Sequence, residues 1–97
     1  MIIMENVVFL VHNSRDHVGV ATVDLEKGTT AQGKYLDVGA TLTVEVSEGI
    51  PLGHKLSITR ISGDQPVIEY GQEIGRAIRE IQPGNHVHTH NIKSMRW

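Results

Sequence analysis

The 97-residue sequence has no cysteine, few aromatic residues and no long apolar run. Without cysteine there is no disulfide, thiolate nucleophile or sulfur ligand, so any transition metal must be bound by His, Asp or Glu. Aromatic residues make up 4% of the chain, and no basic run is longer than two residues, which argues against a nucleic-acid partner. No apolar run approaches the roughly 20 residues of a membrane span, so we expect no membrane partner.

Length and charge narrow the class of protein further. Lys plus Arg number 9 and Asp plus Glu 11, for a net charge of −2. Residues 1–6 are too short and too soon acidic for a signal peptide, so we expect a cytoplasmic protein. The length predicts a single domain over residues 1–97. A chain this short buries little more than about 60% of its unfolded surface. We therefore expect it to complete an active site rather than to enclose one.

The apolar pattern predicts a mainly β fold. Gly71 and Gly75 each weaken a helix by about 1 kcal/mol relative to Ala, so residues 67–81 are predicted as short strands with one bent turn. With ten glycines and no strong helical pattern, we expect short strands and at most one or two short helical turns. Four further segments are rich in β-branched residues or alternate between apolar and polar side chains: 7–11, 18–25, 41–46 and 54–61.

Three of the six histidines lie in the segment His-Val-His-Thr-His-Asn at residues 86–91. In a strand, alternate side chains share one face and are roughly 6–7 Å apart. Neutral imidazole binds metals and carries protons near neutral pH, so His86, His88 and His90 are candidate metal ligands. Such a row supplies one or two ligands to an ion, and the others would come from another chain or from water. The alternative is a solvated edge strand.

The second candidate is the loop Ile-Pro-Leu-Gly-His-Lys at residues 50–55. Pro51 fixes its backbone, and Gly53 allows close approach to a ligand. His54 and Lys55 then point to opposite faces of a strand. Lys55 is a candidate for binding a carboxylate while His54 moves a proton. The alternative is a turn followed by an ordinary surface lysine.

Three motifs, taken in order, resemble one family. They are Ile-Pro-Leu-Gly-His-Lys at 50–55, Tyr-Gly with Ile-Gly-x-Ala over 70–77, and Ile-x-Pro-Gly-x-His-Val-His-Thr-His-Asn at 81–91. Together they are similar to the small SAF-type (β-clip) domain of altronate dehydratase and its relatives, which include galactarate dehydratase and the two-subunit sulfolactate sulfo-lyase. The resemblance covers nearly the whole chain, and it implies a small β-clip fold.

The resemblance also implies a function. In that family the small domain works with a large catalytic domain, either fused or separate, and a chain ending at Trp97 resembles a separate small subunit. We therefore expect a lyase subunit that is inactive without its large subunit. The implied reaction is β-elimination on a small 2-hydroxy acid, with a divalent metal, iron in the family, shared with the large subunit.

The leaving group and the role of each residue follow from the same resemblance. Loss of water from a sugar acid such as altronate, giving a 2-keto-3-deoxy acid, is the first expectation, and loss of sulfite from sulfolactate is the second. A non-catalytic β-clip module that binds a ligand or partner is the alternative from another class, and a homo-oligomer is left open. The expected residues are His54 and His88 for catalysis, Lys55 and Asn91 for substrate, and His86, His88 and His90 for metal.

Overall fold

The structure, a computed structural model, describes residues 6–94. Within these residues every regular element is a strand and none is a helix, which confirms the mainly β prediction. None of them therefore forms a helix long and apolar enough to cross a membrane. The strands are β1 (Val7–Val11), β2 (Val18–Ala21), β3 (Thr30–Tyr35), β4 (Thr41–Glu45), β5 (Lys55–Ser57), β6 (Pro66–Glu69), β7 (Gln72–Ala77), β8 (His86–Val87) and β9 (Ile92–Ser94).

The strands form two sheets. One has six strands in the order β4-β3-β1-β2-β5-β8, and the other has three in the order β6-β7-β9. Strands β1 and β3 are parallel, and the other neighbouring strands are antiparallel. The predicted strand over 18–25 is too long: β2 ends at Ala21, and Leu25 rejoins the structure through an isolated bridge to Ile50.

Two apolar clusters make up the core. The first includes Phe9, Ile50 and Leu56 and fills the end of the molecule where β1, β3 and β4 lie. The second includes Ile81 and Val87 and joins β8 to the smaller sheet. The molecule measures 49 × 27 × 19 Å. Its narrowest dimension leaves room for about two packed layers, since stacked sheets lie roughly 10 Å apart. The chain therefore has no thick interior, and its polar clefts are at the surface.

Three turns of similar form lead into β3, β6 and β8. In each, a backbone N–H donates to the carbonyl oxygen three residues earlier: Thr29 to Glu26, Gln65 to Ser62 and Asn85 to Gln82. The last turn confirms the prediction of a Pro-Gly turn before the histidine segment. It is fastened by backbone hydrogen bonds from Gly84 to Ser57 and from Ser47 to Gly84. The start of the histidine segment is therefore held against both β5 and the loop after β4.

The segment predicted as strands with a bent turn is β6, the turn at Tyr70 and Gly71, and β7. Tyr70 has a positive φ of 56°, a conformation that few side chains adopt. The buried carboxylate of Asp16 accepts the N–H groups of Tyr70 at 2.9 Å and Gly71 at 3.0 Å. These bonds offset the strain and tie this turn to the loop between β1 and β2.

Candidate metal and substrate site

The histidine segment does not continue as a strand beyond Val87, so the prediction of a single histidine strand is wrong there. The buried side chain of Asn91 bends it instead. Its Oδ1 accepts the N–H of His88 at 3.0 Å, and its Nδ2 donates to the carbonyl of His86 at 2.7 Å. The N–H groups of Asn91 and Ile92 also donate to the carbonyl of His88. An asparagine side chain that bonds to nearby backbone in this way favours a turn over a strand.

The histidine side chains nevertheless converge, together with one from another segment. The rings of His86 and His88 are nearly parallel, with centroids 5.5 Å apart, and His90 lies 5.5 Å from His86. Because β5 pairs with β8, His54 at the end of the preceding loop reaches the same place. Its Nδ1 lies 2.9 Å from Nε2 of His86, and its ring centroid lies 5.2 Å from that of His88. Four imidazoles thus form one cluster, which we call the histidine cluster.

Two groups of three metal-donor atoms overlap in the histidine cluster. One is His54, His86 and His88, and the other is Glu48, His86 and His90. Within each group the donor atoms lie within 4.8 Å of one another. The predicted set of His86, His88 and His90 is therefore divided between the two groups, with His86 in both. His54 and Glu48 add donors from this chain to each group, and the expectation that another chain or water completes the coordination stays a prediction.

Glu48 is the functional candidate that the sequence analysis missed. It lies 38 residues before His86, in the loop after β4, and its Oε1 accepts the N–H of His86 at 2.9 Å. The same oxygen lies 3.8 Å from Nε2 of His90. The local pattern around Glu48 carries no signal for this contact, because only the pairing of distant segments brings the two loops together.

The surroundings of His86 favour its neutral form. Burial lowers the pKa of this imidazole, and the nearby charges of His54, His90 and His88 lower it further, while Glu48 acts in the opposite direction. A neutral imidazole keeps the lone pair that a metal requires. The central member of the histidine cluster is therefore suited to ligation near neutral pH.

A cleft of about 270 Å³ lies beside the histidine cluster. His88 and Lys55 line it together with Glu69, Ile74 and Ile92 among other residues. The ammonium of Lys55, whose side chain is 37% exposed, lies 3.7 Å from Oε1 of the largely buried Glu69. Burial raises the pKa of Glu69, and Lys55 partly opposes that rise. This cleft combines an accessible cation with an imidazole, the chemistry that a small carboxylate ligand would require.

Asn91, predicted to bind substrate, has a visible structural task, and the two histidines that were not predicted as site residues lie elsewhere. Asn91 holds the turn described above, and its assignment to substrate binding stays a prediction. His17 accepts the N–H of Ile68 at its Nδ1, and His12 packs against the ring of Tyr70. A larger cleft of about 490 Å³ is lined by residues between Asn6 and Gln32 and contains no predicted site residue. The predicted site residues are thus concentrated around β5, β8 and the turn after β8.

The sequence matches a family model and several characterised proteins. The family model described as the altronate/galactarate dehydratase SAF domain matches residues 7–95. The chain is 44% identical over 90 residues to the (2R)-sulfolactate sulfo-lyase subunit alpha of Chromohalobacter salexigens, which covers 92% of this chain and 96% of that protein. It is 42% identical over 48 residues to the subunit of the same name from Paracoccus pantotrophus, across 50% of this chain and 72% of that one.

A second group of relatives is much longer. The chain is 38% identical over 79 residues to the altronate dehydratase of Escherichia coli, which covers 81% of this chain but only 15% of that enzyme. The chain thus corresponds to a small part of altronate dehydratase and to nearly the full length of a sulfo-lyase alpha subunit.

Proposed function

Because the chain belongs to the altronate/galactarate dehydratase SAF domain family, we propose that it is the small subunit of a two-component lyase. The proposed substrate is a small 2-hydroxy acid, and the proposed partner is a large catalytic subunit. The observation that carries the proposal is the convergence of His54, His86 and His88 beside the Lys55 cleft. Three metal donors and an adjacent cation could bind a metal ion and the carboxylate of a substrate. Because the cleft lies at the surface, we propose that the large subunit covers it and supplies the remaining residues of the active site.

The donor set fits a divalent transition metal. Imidazole nitrogens suit iron, zinc and similar ions, and a carboxylate beside them broadens the choice toward manganese. A set of three protein donors leaves coordination positions open for water, substrate or a residue of the large subunit. When bound, such an ion would act as a Lewis acid that withdraws charge from the substrate carboxylate. We propose His86 as the central ligand, since it belongs to both donor groups, with His88 or His90 as the further histidine at the metal.

This chain would bind the substrate and move its proton. The accessible ammonium of Lys55 would pair with the carboxylate, and Asn91 would hold the turn that orients His88. We assign His54 and His88 to the reaction centre, because His88 lines the Lys55 cleft and its ring centroid lies 5.2 Å from that of His54. There, an imidazole that is not bound to the metal can accept the proton next to the carboxylate. The β-substituent then leaves, and the resulting enol relaxes to a 2-keto acid.

Two leaving groups are considered. Alignment with nearly the full length of a protein named sulfolactate sulfo-lyase subunit alpha favours sulfite. Similarity to altronate dehydratase and the family description favour loss of water from a sugar acid. Both reactions begin with removal of the same proton, so the residues of this chain would have the same tasks in each.

The test is reconstitution with a candidate large subunit, which would be sought in a neighbouring open reading frame. The purified chain, the large subunit and their mixture would each be supplied with (2R)-sulfolactate and with altronate. Release of sulfite or of a 2-keto-3-deoxy acid by the mixture alone is the expected result. Turnover by the lone chain, or by the large subunit at an undiminished rate without it, would contradict the proposal. Binding of the large subunit without any turnover would support the non-catalytic alternative.

A further inference from the structure

The sharing of His86 between two donor groups has a chemical consequence. A neutral imidazole carries a proton on one ring nitrogen and a lone pair on the other. His86 can therefore ligate one ion at a time unless it loses its second proton. From this geometry we infer that the chain has two alternative positions for one metal ion: an inner position at His54, His86 and His88, and an outer position at Glu48, His86 and His90. The inference deepens the proposed metal site and rests on that part of the proposed function.

The outer position is preformed but open. Glu48 is held by the N–H of His86 at 2.9 Å, and its Oε1 lies 3.8 Å from Nε2 of His90. Two donors on one ion lie roughly 3–3.5 Å apart when each metal–ligand distance is about 2.0–2.2 Å. The side chains of Glu48 and His90 are 45% and 44% exposed, so they have the freedom to make this small closing movement. The contacts of Glu48 already place its carboxylate within reach.

The surroundings of the outer position include charges of both signs. Glu48 and His90 line a cleft of about 200 Å³ together with Arg79 and Glu80. Arg79 donates to the carbonyl of His90 at 2.7 Å, which fixes the turn that carries His90. Its positive charge opposes cation binding, and the carboxylate of Glu80 on the same cleft is already paired with Arg60, so the Glu48 carboxylate must supply the attraction for the ion. The outer donors include a carboxylate, whereas the inner donors are three imidazoles.

The two positions should therefore prefer different ions. An all-imidazole set suits zinc and nickel, whereas a set with a carboxylate also suits manganese. Manganese is expected to bind mainly at the outer position and zinc mainly at the inner one. When the ion occupies the outer position, His88 is not a ligand, and its imidazole stays available for the proposed proton-transfer role.

The experiment is calorimetric titration of the full chain with Mn²⁺ and, separately, with Zn²⁺ at pH 7.5. The variants are Glu48→Gln, the double variant His54→Gln/His88→Gln, and the triple variant that combines all three changes. Glu45→Gln is the matched control, since Glu45 is an exposed carboxylate on the neighbouring strand outside both donor groups. Far-UV circular dichroism of each variant checks that the fold is kept. His90→Gln repeats the test of the outer position if Glu48→Gln does not fold.

One ion per chain is expected for every variant that binds. Glu48→Gln should weaken Mn²⁺ binding by about tenfold or more and leave Zn²⁺ binding within about twofold. The double variant should keep its Mn²⁺ affinity, and the triple variant should lose it. In the parent chain, Mn²⁺ should broaden the nuclear magnetic resonance signals of the His90 ring more than those of His54.

Four results would overturn the inference. Two ions per chain would show that His86 is not a shared ligand. If Glu48→Gln weakened Mn²⁺ and Zn²⁺ binding equally, both when introduced into the parent and when introduced into the double variant, the donors would form one combined site. An unchanged Mn²⁺ affinity would remove Glu48 from the ligands, and a parent chain that binds neither ion would remove both positions. None of these measurements depends on turnover, so failure of the reconstituted lyase would be a separate finding.

Discussion

Replacing Gly84 by Ala is the sharpest test of how the site is built. A Cβ at Gly84 would lie 1.8 Å from the carbonyl oxygen of Glu45, and φ is +85°. Relief to a tight contact of 3.0 Å requires the two backbones to separate by about 1.2 Å. The positive φ costs about 1–3 kcal/mol, and forced separation adds about 1–3 kcal/mol, as overpacking does elsewhere. Together we expect a loss of about 2–6 kcal/mol in the free energy of unfolding.

A matched control separates the two contributions. Gly28 lies at the corresponding place in the turn before β3, with φ +90° and no atom within 4 Å of a built Cβ. Gly28→Ala therefore pays the conformational cost of about 1–3 kcal/mol without the collision. For a domain of this size, each kcal/mol corresponds to roughly 4–8 °C in melting temperature. Gly84→Ala should lower the midpoint by roughly 4–24 °C more than Gly28→Ala, because only the forced separation differs between the two variants.

The measurement is thermal and urea unfolding of both variants and the parent at pH 7.5. Equal losses of stability for the two variants would refute the close approach of the 82–85 turn to the loop after β4. If Gly84→Ala lowered the free energy of unfolding only slightly, the predicted backbone strain at the positive φ of residue 84 would be refuted as well. Because His86 follows two residues later, a Gly84→Ala protein that still folds should also bind metal more weakly than Gly28→Ala.

Three further predictions concern the site histidines, the pH dependence of stability and the β6–β7 turn. In the reconstituted lyase, His54→Gln and His88→Gln should each lower turnover by about 10²–10⁴-fold with assembly intact. The control variant His12→Gln should keep turnover close to that of the parent. If both substitutions change turnover by less than about threefold, the two histidines have a structural role only. Because burial and neighbouring imidazoles lower the pKa of His86 in the folded chain, the unfolded state binds more protons below about pH 6.5. The stability of the metal-free chain should fall as pH falls below that value, and urea midpoints should show a weaker fall in His86→Gln. Asp16→Asn leaves one carbonyl oxygen for three backbone N–H groups, so it should lower the free energy of unfolding by about 1–3 kcal/mol. An unchanged urea midpoint would contradict the view that Asp16 fastens the β6–β7 turn.

Local pattern was sufficient for much of the fold. Alternation over 41–46 marks β4, and the glycines within 67–81 correctly excluded a helix in favour of β6 and β7. The turn before His86 was also readable, because Pro and Gly have strong backbone preferences. The alternating pattern gave a wrong prediction where a side-chain hydrogen bond outweighed the strand propensity of the segment. The alternating histidines predicted a strand, but the amide of Asn91 bonds to the backbone of His86 and His88 and turns the chain.

The sequence by itself determined which chemistry is available: without cysteine, only histidines and carboxylates can bind a transition metal. It also singled out His54, His86, His88 and His90 as candidates. The tertiary structure alone decided which of them share a position. Pairing of β5 with β8 brings His54 to His86, and the turn at 82–85 brings in Glu48. These contacts join residues 32 and 38 positions apart, a separation that local periodicity does not encode because it depends on how distant strands and turns pack.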